Sequence, residues 1–139
     1  MTFQAKSNAA MMAILALVYG AYALVVANQV ADTAVDDLTW QPLMLLTVVP
    51  VTVLAIVAHI VIAVMAPDEA DDYDERDHAN ELRGESLGGL VLGAGVFGGL
   101  VLAMFEAHPF WIAQVLLAGL VLSEIVKDAR TLQLYRRGA

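Results

Sequence analysis

The stretch LGGLVLGAGVFGGLVLAMFEA, residues 87–107, decides the fold, because it has no charged side chain before Glu106. A helix needs about 20 apolar residues to cross the hydrocarbon core of a bilayer. Lipid supplies no water to the backbone polar groups, so an isolated segment of this kind must bond them internally as a helix. The stretch therefore predicts a transmembrane helix.

Three further apolar stretches lie at about residues 9–30, 42–66 and 109–127, on either side of this one. The 139 residues are 60% apolar, with a mean hydropathy of +0.71, which is more apolar surface than a soluble domain of this size can bury. Trp40 and Trp111 stand near the starts of the second and fourth stretches, as interfacial anchors do. The sequence predicts a single all-α integral membrane domain of four transmembrane helices in two hairpins.

The seven Lys and Arg residues predict the orientation of these helices. All seven fall on one side of the membrane if the chain crosses it four times, whereas residues 31–39 and 106–109 carry none. The positive-inside rule then predicts that both termini and the loop at residues 67–86 are cytoplasmic, in a cytoplasmic (inner) membrane. The net charge of −8 argues against nucleic acid as a partner, and the absence of cysteine excludes thiolate chemistry.

Small residues recur at steps of three or four along two of the predicted helices. Such residues let helix backbones approach closely in lipid, where apolar burial gives no driving force. They predict helix-packing faces, either within the chain's own bundle or in a homo-oligomer or larger membrane complex. The first helix carries Ala9, Ala13, Ala16, Gly20, Ala23 and Ala27, and the third carries Gly84, Gly88, Gly95 and Gly99.

His59 and Glu124 are ionisable residues in the interior of the predicted spans. His59 precedes Pro67 by about 12 Å of helix, and a titratable group at that depth is a candidate functional residue. The alternative is a neutral histidine bonded to a neighbouring polar group. Glu124 either faces His59 or pairs with Lys127 three residues later on the same helix.

The loop at residues 67–86 is strongly acidic, with nine Asp and Glu against two Arg. If the third helix starts early, four side chains of this loop share one face, with the spacing of a divalent-cation site. The alternative is a solvated helix start, where acidic residues favour the helix dipole. No other cofactor is expected. The four candidate ligands are Asp74, Asp77, His78 and Glu81. Glu106 and His108 at the opposite end form a short polar turn, which we interpret as solvated; the alternative is a cation site at the outer face, for which two ligands are few.

Two short motifs carry a resemblance to a known family. They are Asp74-Glu75-Arg76-Asp77 before the third helix and Tyr135-Arg136-Arg137-Gly138 at the C-terminus. The second half of the chain, from Asp74 to Gly138, resembles a family of short bacterial and archaeal membrane proteins of unknown function. That resemblance implies four spans with such a loop before the third, and it implies no activity and no catalytic residues.

Three classes of function fit these observations. A non-enzymatic structural or regulatory membrane subunit, assembling through the small-residue faces, accounts for most of them. The alternative is a small oligomeric proton- or cation-coupled transporter or channel that uses His59 and Glu124. A membrane enzyme with a metal in the acidic loop is the third, and no catalytic motif in the sequence supports it.

Overall fold

The computed structural model describes residues 3–65 and 75–137, and all regular structure in these ranges is helical. Four long helices follow one another, with one 3₁₀ turn in the first connection. Their bounds are α1 Phe3–Asp32, the 3₁₀ turn Val35–Asp37, α2 Trp40–Met65, α3 Glu75–Met104 and α4 Pro109–Arg137. Helix α3 thus begins well before residue 87, where the predicted span starts, so the second half of the predicted acidic loop is helical.

Among the described residues, three helices are long and apolar enough to cross a membrane. They are Met11–Asp32, His78–Met104 and Pro109–Leu134, with mean hydropathies of 1.9, 2.1 and 1.8 in their most apolar windows. Helix α2 contributes a shorter described apolar stretch, Trp40–Leu54. Large apolar side chains such as Leu17, Leu46 and Leu90 point away from the bundle. An apolar outer surface is what a lipid environment selects.

The helices pack with unequal closeness. Helices α3 and α4 form a tight hairpin, α1 packs against α4, and α2 packs mainly against α1. The core joins Leu15, Tyr22 and Val26 of α1 to Leu117 and Val121 of α4. Helix α2 is the least tightly packed of the four. Among its described side chains, Val51 is the buried apolar one.

Phe110, at the start of α4, is the centre of an aromatic cluster. The cluster lies at the end of the bundle that holds the α1–α2 and α3–α4 connections. The Phe110 side chain is only 1% exposed. Its ring meets those of Trp40 and Trp111 edge to face, at centroid distances of 5.7 and 4.9 Å. Edge-to-face pairs of this kind add to the stabilisation from burial alone. The aromatic cluster therefore joins the start of α2 to the start of α4.

A Schellman motif ends α3 and reverses the chain. Glu106 N–H donates to Ala103 O and Ala107 N–H donates to Leu102 O, at 3.1 and 3.0 Å. Glu106 adopts the left-handed conformation that this motif requires, with φ of 54°. Glycine normally holds that position, because a Cβ in this conformation clashes with the following carbonyl. Pro109 then starts α4, at a helix position where no N–H is needed.

We expect Glu106→Gly to stabilise the folded protein by about 1 kcal/mol, because it relieves the left-handed strain at the end of α3. Thermal unfolding in detergent measures the change. Glu106→Ala is the matched control, since it removes the charge and keeps the Cβ. Equal stabilisation by Ala would assign the gain to the carboxylate and contradict the backbone argument.

Candidate functional site

The glycine face predicted on the third helix lies against α4. A Cβ added at Gly95 would come 2.6 Å from the Cα of Gly119, and one at Gly99 would come 2.7 Å from Leu116 Cδ2. Real Cβ atoms do not approach backbone this closely, so the two helices are in direct backbone contact where Gly95 meets Gly119. This is the close approach that small residues permit between membrane helices.

The same face continues toward the charged end of the hairpin. A Cβ at Gly88 would lie 2.9 Å from Ser123 O, and one at Gly84 would lie 3.0 Å from Lys127 O and closer still to the Thr131 hydroxyl. Of the other glycines of the helix, Gly89 and Gly93 have no neighbouring atom within 4 Å, whereas a Cβ at Gly98 would lie 3.2 Å from Val115 Cγ1. The four predicted glycines therefore serve packing within the chain. The sequence did not predict the role of Gly119, because a lone glycine in an apolar span forms no spacing pattern.

The small-residue face predicted on α1 has a different surrounding. Ala13, Gly20 and Ala27 are exposed, and a Cβ at Gly20 would meet nothing within 4 Å. Helix α1 instead packs through large side chains one step around the helix: Leu15, Tyr19, Tyr22 and Val26. Helix packing within the described chain therefore does not use the face formed by Ala13, Ala16, Gly20, Ala23 and Ala27. We call it the α1 small-residue face. Ala9, the remaining predicted member, is half-buried.

An open groove of about 360 Å³ runs between α1 and α4, and the α1 small-residue face forms one of its walls. Ala16, Gly20 and Ala23 line that wall, and Ala118 and Leu122 lie on the α4 side. The groove exists because Tyr19 and Tyr22 hold the two helices apart while the small residues beside them fill little space. Small side chains on the α1 wall, opposite mostly larger ones on the α4 wall, leave the groove open.

One hydrogen bond crosses the groove. The Gln114 side-chain amide donates to the Tyr22 hydroxyl at 2.8 Å. Tyr22 is buried and Gln114 is half-buried. A polar group in an apolar setting is costly unless it is paired, so this bond ties α1 to α4 at a defined register. Both residues line the groove, which is otherwise apolar.

No described contact brings His59 and Glu124 together. The Lys127 ammonium donates to the Glu124 carboxylate on the same helix, as the spacing of three residues allows. His59 lies in α2, and its side chain is outside the described part of the structure. The pairing of His59 with Glu124 stays a prediction.

Among the side chains that the structure describes, no three His, Asp or Glu lie close enough together to hold a metal ion. His78 is exposed and Glu81 is half-buried, and each has an interaction partner. Asp74 and the side chain of Asp77 fall outside the described residues, so the four-residue metal site also stays a prediction.

The short polar turn after α3 contacts the connection between α1 and α2. His108 Nε2 lies 3.5 Å from Asp36 Oδ1, while His108 Nδ1 accepts a hydrogen bond from the Phe110 N–H at 3.2 Å. The sequence predicts a solvated turn at His108. The structure gives it two partners on two different segments, which no spacing in the sequence indicates because Asp36 is remote along the chain.

Comparison of the chain with protein-family models finds no match, and comparisons with curated proteins and with solved structures find none either. The resemblance carried by the two short motifs therefore stays a prediction. Of the motif residues, Glu75 and Arg76 start α3, and Tyr135, Arg136 and Arg137 end α4, all with side chains outside the described part. Gly138 lies beyond the described residues.

We expect Gly95→Ala to destabilise the hairpin by about 1–3 kcal/mol, because the new methyl group overlaps the backbone of α4. Gly93→Ala is the matched control on the same helix. It meets open space, and it gains up to about 1 kcal/mol from the higher helix propensity of alanine. Unfolding of both variants in the same detergent gives the comparison. Equal stability of the two would show that α3 and α4 are not in backbone contact at Gly95.

Proposed function

We propose that this chain is a non-enzymatic multi-pass membrane protein, a structural or regulatory subunit that assembles with another helix through the α1 small-residue face. One observation carries the proposal. The glycine face of α3 is used within the chain, whereas the small residues of α1 stand open beside a groove. A second chain of the same kind or another membrane subunit is the partner, and lipid surrounds the rest.

The physical argument rests on what small residues do in lipid. Apolar side chains gain nothing by leaving lipid for a protein surface of equal polarity, so membrane helices associate by close packing. Large side chains such as Leu17 and Leu24 on the outer side of α1 suit contact with acyl chains. A run of Ala and Gly suits a second helix, because it lets the partner backbone come near.

The transport alternative would use the same assembly. A chain of four helices encloses little space by itself, so a path through His59 and Glu124 needs at least two copies. Glu124 pairs with Lys127 on the same helix in the described structure, which favours a structural role for that carboxylate within α4. We therefore keep transport as the second proposal.

The proposed topology has four spans, with both termini and the acidic segment before α3 in the cytoplasm. It is supported by the distribution of Lys and Arg and by the lengths of the helices. Under this topology the α1–α2 connection and the turn at Glu106–Pro109 lie on the outer side. The polar end of α4 reaches beyond the bilayer into the cytoplasm.

Single-cysteine labelling tests this topology without background, because the chain has no cysteine of its own. Thr33→Cys and Gln133→Cys introduce exposed thiols at opposite ends of the bundle. We expect an impermeant maleimide to label Thr33→Cys in intact spheroplasts and Gln133→Cys only after the membrane is opened. Labelling of Gln133→Cys from outside would overturn the proposed orientation.

Native mass determination on protein extracted gently from its own membranes, without overexpression, tests the assembly. We expect Gly20→Leu to weaken association at least about tenfold, equivalent to ~1.4 kcal/mol, because it blocks the face without touching the rest of the chain. Ala21→Leu is the control, since Ala21 is exposed on another side of α1 and does not line the groove.

A complex with other subunits would identify the protein as a subunit. A pure homo-oligomer would favour the transport proposal instead. A monomer in the wild-type protein, or equal loss in the two leucine variants, would contradict assembly through the α1 small-residue face.

A further inference from the structure

His108 is the N-cap of α4 and the contact between the two short connections of the chain. Its backbone carbonyl accepts from Trp111 N–H at 2.9 Å, and its Nδ1 accepts from Phe110 N–H at 3.2 Å. Its other ring nitrogen, Nε2, faces Asp36 of the 3₁₀ turn at 3.5 Å. The ring is about one-third exposed, so it is open to solvent protons.

The two contacts respond in opposite ways to protonation. Nδ1 accepts a hydrogen bond only in the neutral ring, whose proton then sits on Nε2 toward Asp36. The imidazolium ring has N–H groups at both positions and no acceptor. Protonation therefore cancels the bond to Phe110 and puts a cation at the positive end of the helix dipole, while it strengthens the attraction to Asp36.

The charged residues of the two connections are all acidic: Asp32, Asp36, Asp37 and Glu106. Of these, Asp36 is the one that the described contacts place against the ring. Residues 31–39 and 105–110 contain no Lys or Arg. Histidine is the side chain that ordinarily changes charge between about pH 5 and 8.

We propose that His108 is a pH-sensitive latch between the two connections. In its neutral form it caps α4 and holds the first turn, in which Phe110 is buried. In its charged form it leaves the helix end for the Asp36 carboxylate and uncaps that turn. This latch does not depend on the proposed assembly, since every residue in it belongs to one chain.

The chain carries a local reporter of the latch, because its two tryptophans, Trp40 and Trp111, both contact Phe110. The experiment records tryptophan emission of the full-length protein in lipid nanodiscs from pH 8 to pH 5. We expect one sigmoidal transition in the wild-type protein. His108→Asn keeps a neutral capping oxygen at every pH, so its emission should stay flat. His59→Asn and His78→Asn are the controls and should keep the transition.

Two further measurements keep the test decisive. Asp36→Asn should reduce the amplitude of the emission change, because the charged ring then lacks the carboxylate that draws it away from α4. The exchange protection factor of the Phe110 amide should fall about fivefold on protonation, the factor expected for a lost cap.

An emission change without loss of Phe110 protection would mean quenching by the charged ring alone, and would overturn the latch. So would a transition that persists in His108→Asn, or none in the wild-type protein.

Discussion

The backbone contact between α3 and α4 at Gly95 and Gly119 is the constraint on which the rest of the bundle depends. Lipid removes the hydrophobic drive that holds soluble helices together, so the helices must gain their attraction from close atomic contact. Two glycines facing each other give the closest approach available. Once α3 and α4 touch there, the remaining positions along the seam must also be small, and Gly84, Gly88 and Gly99 meet that requirement.

The polar residues of α4 along this seam adapt to the same contact. Ser123 donates its hydroxyl to Leu120 O at 2.7 Å, and Thr131 donates to Lys127 O at 3.0 Å. By bonding to carbonyls of their own helix, these buried side chains need no partner on α3. The glycines opposite can then lie directly against the α4 backbone. The same arrangement therefore packs the helices closely and satisfies the buried hydroxyl groups. It allows the close helix contact to continue into the charged end of the helices.

The sequence could predict the helices and the glycine face, because an apolar run and a spacing of three or four residues are local properties. It could not say which helix the glycines meet, since a small residue signals close approach without naming the neighbour. The α1 small-residue face shows the limit. Its spacing is as regular as that of α3, yet Tyr19 and Tyr22 beside it make the contact with α4. Large side chains reach a neighbour that small ones leave at a distance.

The sequence left the start of α3 open, and it gave no indication of the partners of His108. Residues 75–86 are charged, so their sequence fits either a loop or an early helix start, and in the folded chain Gly84 lies against α4 as part of a helix. His108 contacts Asp36, a residue far away in the sequence that only the fold brings near. Phe110, which His108 caps, touches Trp40 of α2 rather than the glycine seam. Phe110 thus connects the first turn of α4 to the loosely packed α2, at a distance along the helix from the Gly95–Gly119 contact that joins α3 to α4.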